Sequence, residues 1–114
     1  MKVVVAGGRD FSDYNYLKDS IVQIFPNSDI EIISGCAKGA DTLGEKFAEE
    51  MNLKLHKFPA NWNKFGKSAG FKRNEEMAKN ADCLIAFWDG KSKGTEHMIK
   101  CAKKLGLKVH IFTF

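Results

Sequence analysis

The chain predicts an α/β fold: a three-layer Rossmann-like domain with a five-stranded parallel sheet and helices on both faces. Three observations carry that expectation. Short apolar, β-branched runs alternate with segments of helical periodicity, in the order β-α-β-α-β-α-β-α-β. The first, second and fourth of those runs pass directly into a glycine-bearing loop. No linker or internal repeat interrupts the alternation, and 114 residues suit a single domain spanning 1–114. Strands that alternate with helices pair in parallel, because each crossover lays a helix over the sheet.

The elements follow in order. Residues 2–6 contain three successive valines before Gly7-Gly8 and read as a strand buried on both faces. Ser12 or Asp13 can cap a helix that places Leu17, Ile21, Ile24 and Phe25 on one side, with Pro26-Asn27 ending it. Residues 30–33 form the second strand, stopped by Ser34-Gly35. A helix from about residue 41 turns Leu43, Phe47, Ala48 and Met51 inward, and Asn52 is its expected left-handed end. Residues 53–58 form the third strand. Residues 59–70 (PANWNKFGKSAG) read as irregular and aromatic. A helix over about 71–80, a strand over 82–88, and a helix over about 95–105 follow. That last helix turns Met98, Ile99, Ala102 and Leu105 inward, and Gly106 ends it. Residues 108–112 are the final strand.

Composition narrows the function classes. The chain is 44% apolar and 28% charged, as ordinary globular domains are. No run approaches the roughly 18–20 apolar residues of a membrane span, and the N-terminal apolar run is too short and too quickly charged for a signal peptide. The expected location is cytoplasmic, with no membrane partner. Cys36, Cys83 and Cys101 are an odd number without C-x-x-C spacing, and His56, His97 and His110 share no ligand spacing with them, so no disulfide framework, metal or cofactor is expected. Cys36 is read as a small packing residue, Cys83 and Cys101 as core. Net charge is +4 but uneven: residues 1–57 hold seven basic and nine acidic side chains (−2), residues 58–114 eleven and five (+6). A basic half attracts phosphate, or is simply a lysine-rich surface.

In parallel sheets ligands bind beyond the carboxyl ends of the strands, near the point where strand order reverses. The loops there hold the candidate residues. Gly7-Gly8-Arg9-Asp10 lets backbone approach a ligand, and Arg9 can fork onto a phosphate or pair with a nearby acid. The sequence is not G-x-G-x-x-G, which disfavours an ordinary dinucleotide site. Ser34-Gly35-Cys36-Ala37-Lys38-Gly39-Ala40-Asp41 leads a strand into a helix N-terminus, where backbone N–H groups favour an anion. Asp41 competes for that positive end, and caps the helix or accepts from a ribose hydroxyl. The phosphate loop G-x-x-x-x-G-K-[ST] is absent: Asn61 and Ile85 stand where its first glycine belongs. Trp88-Asp89-Gly90-Lys91-Ser92-Lys93-Gly94-Thr95 offers a further helix N-terminus, with Trp88 either stacking on a base or buried. Arg73 and Asn74 open the third helix and can reach the crevice, with Trp62 and Phe65 as a wall; a surface arginine beside core aromatics is the alternative.

Taken together, VAGGRDF, ISGCAKGADTLGEKFA, FPANW, GKSAGFKRNEEMA and LIAFWDGKSKGT resemble the SLOG superfamily of Rossmann-like proteins, closest to its YspA-like, YpsA-related branch. The segment from Ser34 to Asp41 resembles the Ser-Gly-x-Ala-Arg-Gly-x-Asp loop of the DprA relatives. The phosphoribohydrolases of the LOG group carry Gly-Gly-x-Gly-Thr-x-x-Glu with a catalytic glutamate. Here Gly94-Thr95 matches the centre, Lys91-Ser92 replaces the glycine pair, and Met98 stands at the glutamate position. Glu96 lies two residues early, about 200° around a helix from it.

Three function classes follow. The leading one is binding of a nucleotide or nucleotide-derived ligand, of the ADP-ribose or cyclic-nucleotide kind. The second is N-glycosidic or phosphoribosyl cleavage with Asp10, Asp41, Asp89 or Glu96 as the acid. Nucleic-acid binding ranks last, because the basic residues are read as spread out, with no cluster that interleaves with aromatics as a single-strand platform requires. A homo-oligomer is the expected assembly.

Overall fold

Val3, Val4 and Val5 are fully buried in strand β1 (Lys2–Gly7). Successive apolar residues are stable there because a strand alternates its side chains between two faces, and both faces are covered. Val3 and Val5 enter one core, with Leu17, Ile21, Phe47 and Phe87. Val4 and Ala6 enter the other, with Ile33, Met77, Leu84 and Met98. This is a computed structural model, and it describes residues 1–27 and 29–114.

Helix α1 (Tyr14–Ile24) starts at Asp13, whose carboxylate accepts the Tyr16 N–H at 3.1 Å, so Asp13 and not Ser12 caps it. Strand β2 (Glu31–Ser34) leads to helix α2 (Ala40–Glu50), whose end is marked by Asn52 at φ +55°. Strand β3 (Leu55–Lys57) is followed by helices α3 (Trp62–Phe65) and α4 (Ala69–Lys79), joined by a 3-10 turn at Gly66–Ser68. Strand β4 (Cys83–Trp88), helix α5 (Lys93–Lys104) and strand β5 (Lys108–Thr113) complete the chain.

The sheet order is β3-β2-β1-β4-β5, with every pairing parallel. The chain works outward from β1 through β2 to β3, then crosses back to β4 on the other side of β1. With right-handed crossovers, that reversal moves the later helices to the opposite face. The two cores record this: one holds the apolar faces of α1 and α2, the other those of α4 and α5. The expected three-layer α/β architecture is the observed one. The loops after β1 and β4 diverge between neighbouring strands, which opens a crevice at the switch point.

Four details differ from expectation. Residues 59–70 are not irregular throughout: Asn61 caps a short helix by accepting the Lys64 N–H at 3.0 Å, and the 3-10 turn runs straight into α4. Helix α4 therefore begins at Ala69 rather than near residue 71, and Arg73 and Asn74 lie one turn inside it. Leu105 is half exposed, because the chain already leaves the helix there and turns through Gly106 at φ +77°. Cys83 is core, but Cys101 is only half buried, beside His97. Among the described residues no helix is long and apolar enough to cross a membrane.

Candidate functional site

The crevice starts where β1 ends. Gly7 lies opposite Phe87 in register, so close that a Cβ on Gly7 would strike the Phe87 carbonyl oxygen and come within 2.9 Å of Ala40 Cβ. The Gly8 N–H donates to that same Phe87 oxygen at 3.0 Å. The Gly8 carbonyl accepts from Phe11 and from Ala40 in the first turn of α2, both at 3.2 Å. That latch requires Gly39, which sits at φ +78° with the Gly8 and Arg9 backbone pressed against it. Arg9 is left exposed on the tip of the turn and makes no salt bridge among the described residues. It lines three adjoining cavities.

The loop after β2 is held from α4. The Arg73 guanidinium donates to the Gly35 carbonyl through Nη1, and through Nε to Asn74 Oδ1 at 3.0 Å. Buried Asn74 donates its amide to the Gly94 carbonyl at 3.2 Å and lies 3.2 Å from His97 Nδ1. One side chain thus ties α4 to the first turn of α5. A Cβ on Gly35 would meet Arg73 Nη1 at 2.7 Å and Asp41 Oδ2 at 2.8 Å, so a larger residue would have to displace both side chains. Asp41, 5% exposed, accepts the Ala37 N–H at 3.3 Å. Burial pushes its carboxyl up to about 6, although the Ala37 amide and the Arg73 charge oppose the rise. Asp41 closes its own loop; it does not cap α2 with its side chain, because Gly39 supplies the cap position and no side-chain bond is made there.

The third wall is the α5 entrance. The Asp89 carboxylate accepts N–H groups from Lys91 and Ser92, both at 2.8 Å, which holds it below the usual carboxylate range. The Trp88 indole N–H donates to the Ser92 carbonyl at 3.1 Å. At Ser92 no side chain caps α5: the Thr95 hydroxyl bonds to Ser92 Oγ at 3.2 Å, and the first-turn N–H groups keep no side-chain acceptor. Ser92, Gly94 and Thr95 line a cavity of about 210 Å³ between the end of β1, the N-terminal half of α4 and the start of α5. Buried Met98 lies on its floor, and Trp62 and Lys67 reach it from the segment before α4.

The family described as "YspA, cpYpsA-related SLOG family" matches residues 1–65. The Gene 61 protein of Mycobacterium phage D29 is 32% identical over 116 residues, covering 95% of this chain and 93% of that protein. This chain belongs to the YspA, cpYpsA-related SLOG family. The DNA processing protein A of Helicobacter pylori, whose structure describes a single-stranded DNA binding mode, has the same fold with a TM-score of 0.67 at 16% identity. The match covers 97% of this chain and 64% of that one.

Within this SLOG domain the predicted residues separate into groups. Gly7, Arg9, Ala37, Asp41, Arg73, Asn74, Gly94 and Thr95 meet around the 210 Å³ cavity. Gly8, Asp10 and Asp89 line a neighbouring cavity beside Arg9, and Gly35 and Cys36 line another. Ser34 is buried and spends its hydroxyl on Glu45 at 2.6 Å. Gly39 and Gly90 shape turns, at φ +78° and +83°. Trp88 packs against the α4–α5 core, so the buried alternative describes it better than base stacking. Cys36 is largely exposed at φ +65° and is not a packing residue; partial desolvation of the thiol, with Glu45 nearby, pushes it up, away from a reactive thiolate. Of the four candidate acids, Asp41 alone lines the main cavity; Glu96 is exposed and pairs with Lys100 at 3.2 Å.

The run from α3 into the first turn of α4 carries a feature the sequence did not make legible. Trp62, Phe65 and Phe71 are all exposed, with Lys64 and Lys72 each 5.1 Å from the Phe65 ring centre and Lys67 beside them. Basic and aromatic side chains do interleave here, contrary to expectation. Phe65 is also not part of the wall with Trp62: it faces a separate groove with Lys72 and Lys79. The signal was present as W-x-K-F-x-K followed by F-K-R, hidden by the absence of helical periodicity.

Proposed function

We propose that this SLOG domain binds a phosphorylated, nucleotide-derived ligand in the crevice at the β1–β4 switch point. One observation carries the reading: Arg9, Lys67 and Arg73 converge with the uncapped N-terminus of α5 on a single cavity. Cations and unpaired helix N–H groups together make a phosphate site. The cavity of about 210 Å³ is small for a whole nucleotide, but it adjoins one of about 350 Å³ that shares Arg9, Ala37, Trp62 and Arg73 with it. The phosphate would sit at the α5 end and the remainder of the ligand toward the mouth.

Calorimetric titration against nucleoside monophosphates, cyclic nucleotides and ADP-ribose tests this. The expected result is one site per chain for at least one of them. Arg9→Ala should weaken it about 10- to 100-fold, because among the described residues the Arg9 side chain makes no salt bridge and a charge-assisted bond contributes about 1.5–3 kcal/mol. Absence of binding across the panel would defeat the reading.

A single strand of nucleic acid is the second reading, favoured by the exposed aromatic and basic side chains from α3 into the first turn of α4. The fold is shared with a protein reported to bind single-stranded DNA. A flat gel shift at low salt with a thymidine dodecamer would remove it.

A further inference from the structure

Trp62 is 54% exposed, yet it lines both the 210 Å³ cavity and the adjoining one. Its position is built rather than incidental. Asn61 holds the turn it stands on by accepting the Lys64 N–H at 3.0 Å, the Phe65 N–H returns to the Asn61 carbonyl at 3.0 Å, and the Ser68 hydroxyl bonds to the Phe65 carbonyl at 2.9 Å. Gly70 leaves a gap in front of the indole: a Cβ there would lie 3.6 Å from Trp62 Cη2 and 3.8 Å from Arg73 Nη2. The ring edge and the guanidinium therefore flank the same space. Neighbouring aromatics are already engaged. Phe71 stacks on His97 at 4.2 Å, and Phe65 lies under the two lysine ammonium groups. Among the described residues no aromatic ring or cation covers Trp62.

A large, rigid, uncovered π-face beside a phosphate-binding set of cations matches one chemistry: a planar heteroaromatic base carried on a phosphorylated sugar. We propose that Trp62 is the stacking platform for that base, and so the residue by which the crevice distinguishes a nucleotide from a sugar phosphate. This rests on the phosphate-site reading above. A free nucleotide and a nucleotide within a single strand share the chemistry, and the arms of the test separate them.

The probes are AMP, GMP, CMP, UMP, ribose 5-phosphate and an adenosine dodecamer, titrated into wild type, Trp62→Leu and Trp62→Phe. Wild type should bind at least one of the four nucleotides about tenfold or more tightly than ribose 5-phosphate. Trp62→Leu should lose that preference while holding ribose 5-phosphate as before, and Trp62→Phe should retain most of it. An exposed side chain on a capped turn makes both variants foldable, which an unchanged thermal midpoint would verify. Tighter, Trp62-dependent binding of the dodecamer supports the stacking and names a strand as its source. Equal wild-type affinity for ribose 5-phosphate and all four nucleotides overturns the stacking and leaves the phosphate site standing. A preference that persists in Trp62→Leu also overturns it, as does a self-association lost in Trp62→Leu with ligand affinities unchanged. If wild type binds none of the six probes the stacking is overturned, and the phosphate site falls with it when cyclic nucleotides and ADP-ribose fail to bind as well.

Discussion

Asp41 shows how far one side chain can depart from its sequence motif. Its spacing after Ser34-Gly35 reads as a helix cap or a ribose acceptor, because a carboxylate in a first turn ordinarily meets helix N–H groups. The left-handed Cys36 and Gly39 instead fold the loop back, and the carboxylate meets the Ala37 amide. The Cys36 value is not encoded in residue type, since cysteine is an unusual residue for that region. The consequence is measurable. The folded carboxyl titrates near 6, above its ordinary 3.8, so the folded state binds a proton more strongly than the unfolded chain does. Stability from this group is fully present below about pH 3.8 and is lost as pH rises through about 6. Asp41→Asn, which mimics the protonated form, should therefore be more stable than wild type at pH 7.5, by about 1–3 kcal/mol. The gap should close by pH 4. Urea unfolding of both proteins at the two pH values measures it, and a gap independent of pH would show that Asp41 is not the titrating group.

The link between α4 and α5 rests on a single amide. Asn74 accepts from Arg73 and donates to the Gly94 carbonyl, so it fixes the guanidinium and the α5 entrance together. Asn74→Ala would leave an arginine N–H and a carbonyl without partners, at a cost of about 2–4 kcal/mol. Ligand affinity should fall with it, since both phosphate walls loosen. Denaturant titration should show a lower midpoint with an unchanged slope, and an unchanged midpoint would contradict the link. At this scale the sequence was readable wherever an element is long. Strands β1 and β4 announce themselves by runs of buried apolar residues, and α1, α2 and α5 by their apolar stripes. Helix α3, with four residues, is too short to show a period, and Ala69-Gly70 gives no start signal for α4. Its only local mark is the Asn61 cap. For the same reason Trp62 and Phe65 read as a wall of the crevice and Phe71 as the start of a helix, not as an outward-facing aromatic set. Arg73 and Asn74 were singled out as reaching the crevice, but their partners lie 38 and 20 residues away, beyond what spacing can supply.

Across the whole molecule, sheet order decides which loops meet. The reversal at β1–β4 brings the N-terminal half, net −2, against the C-terminal half, net +6, so the crevice mixes Asp10, Asp41 and Asp89 with Arg9, Lys67 and Arg73. Such a mixed rim favours one phosphate at a defined place over a track of phosphates, because the carboxylates repel a strand that continues past Arg9. Salt separates the two cases. A mononucleotide held by one phosphate has no condensed counterion layer to release and should lose affinity only shallowly with salt, whereas a single strand loses about 0.7 log units per phosphate contact for each tenfold rise in salt. Titrations of AMP and of the thymidine dodecamer between 50 and 500 mM salt (about 10-fold) should therefore give a slope shallower than about −1 for both. A dodecamer slope of about −3 would instead mean at least four phosphates on the protein. Four contacts do not fit within the main cavity, and they would have to run outward along Lys64 and Lys72, past Glu75 and Glu76 of the neighbouring groove.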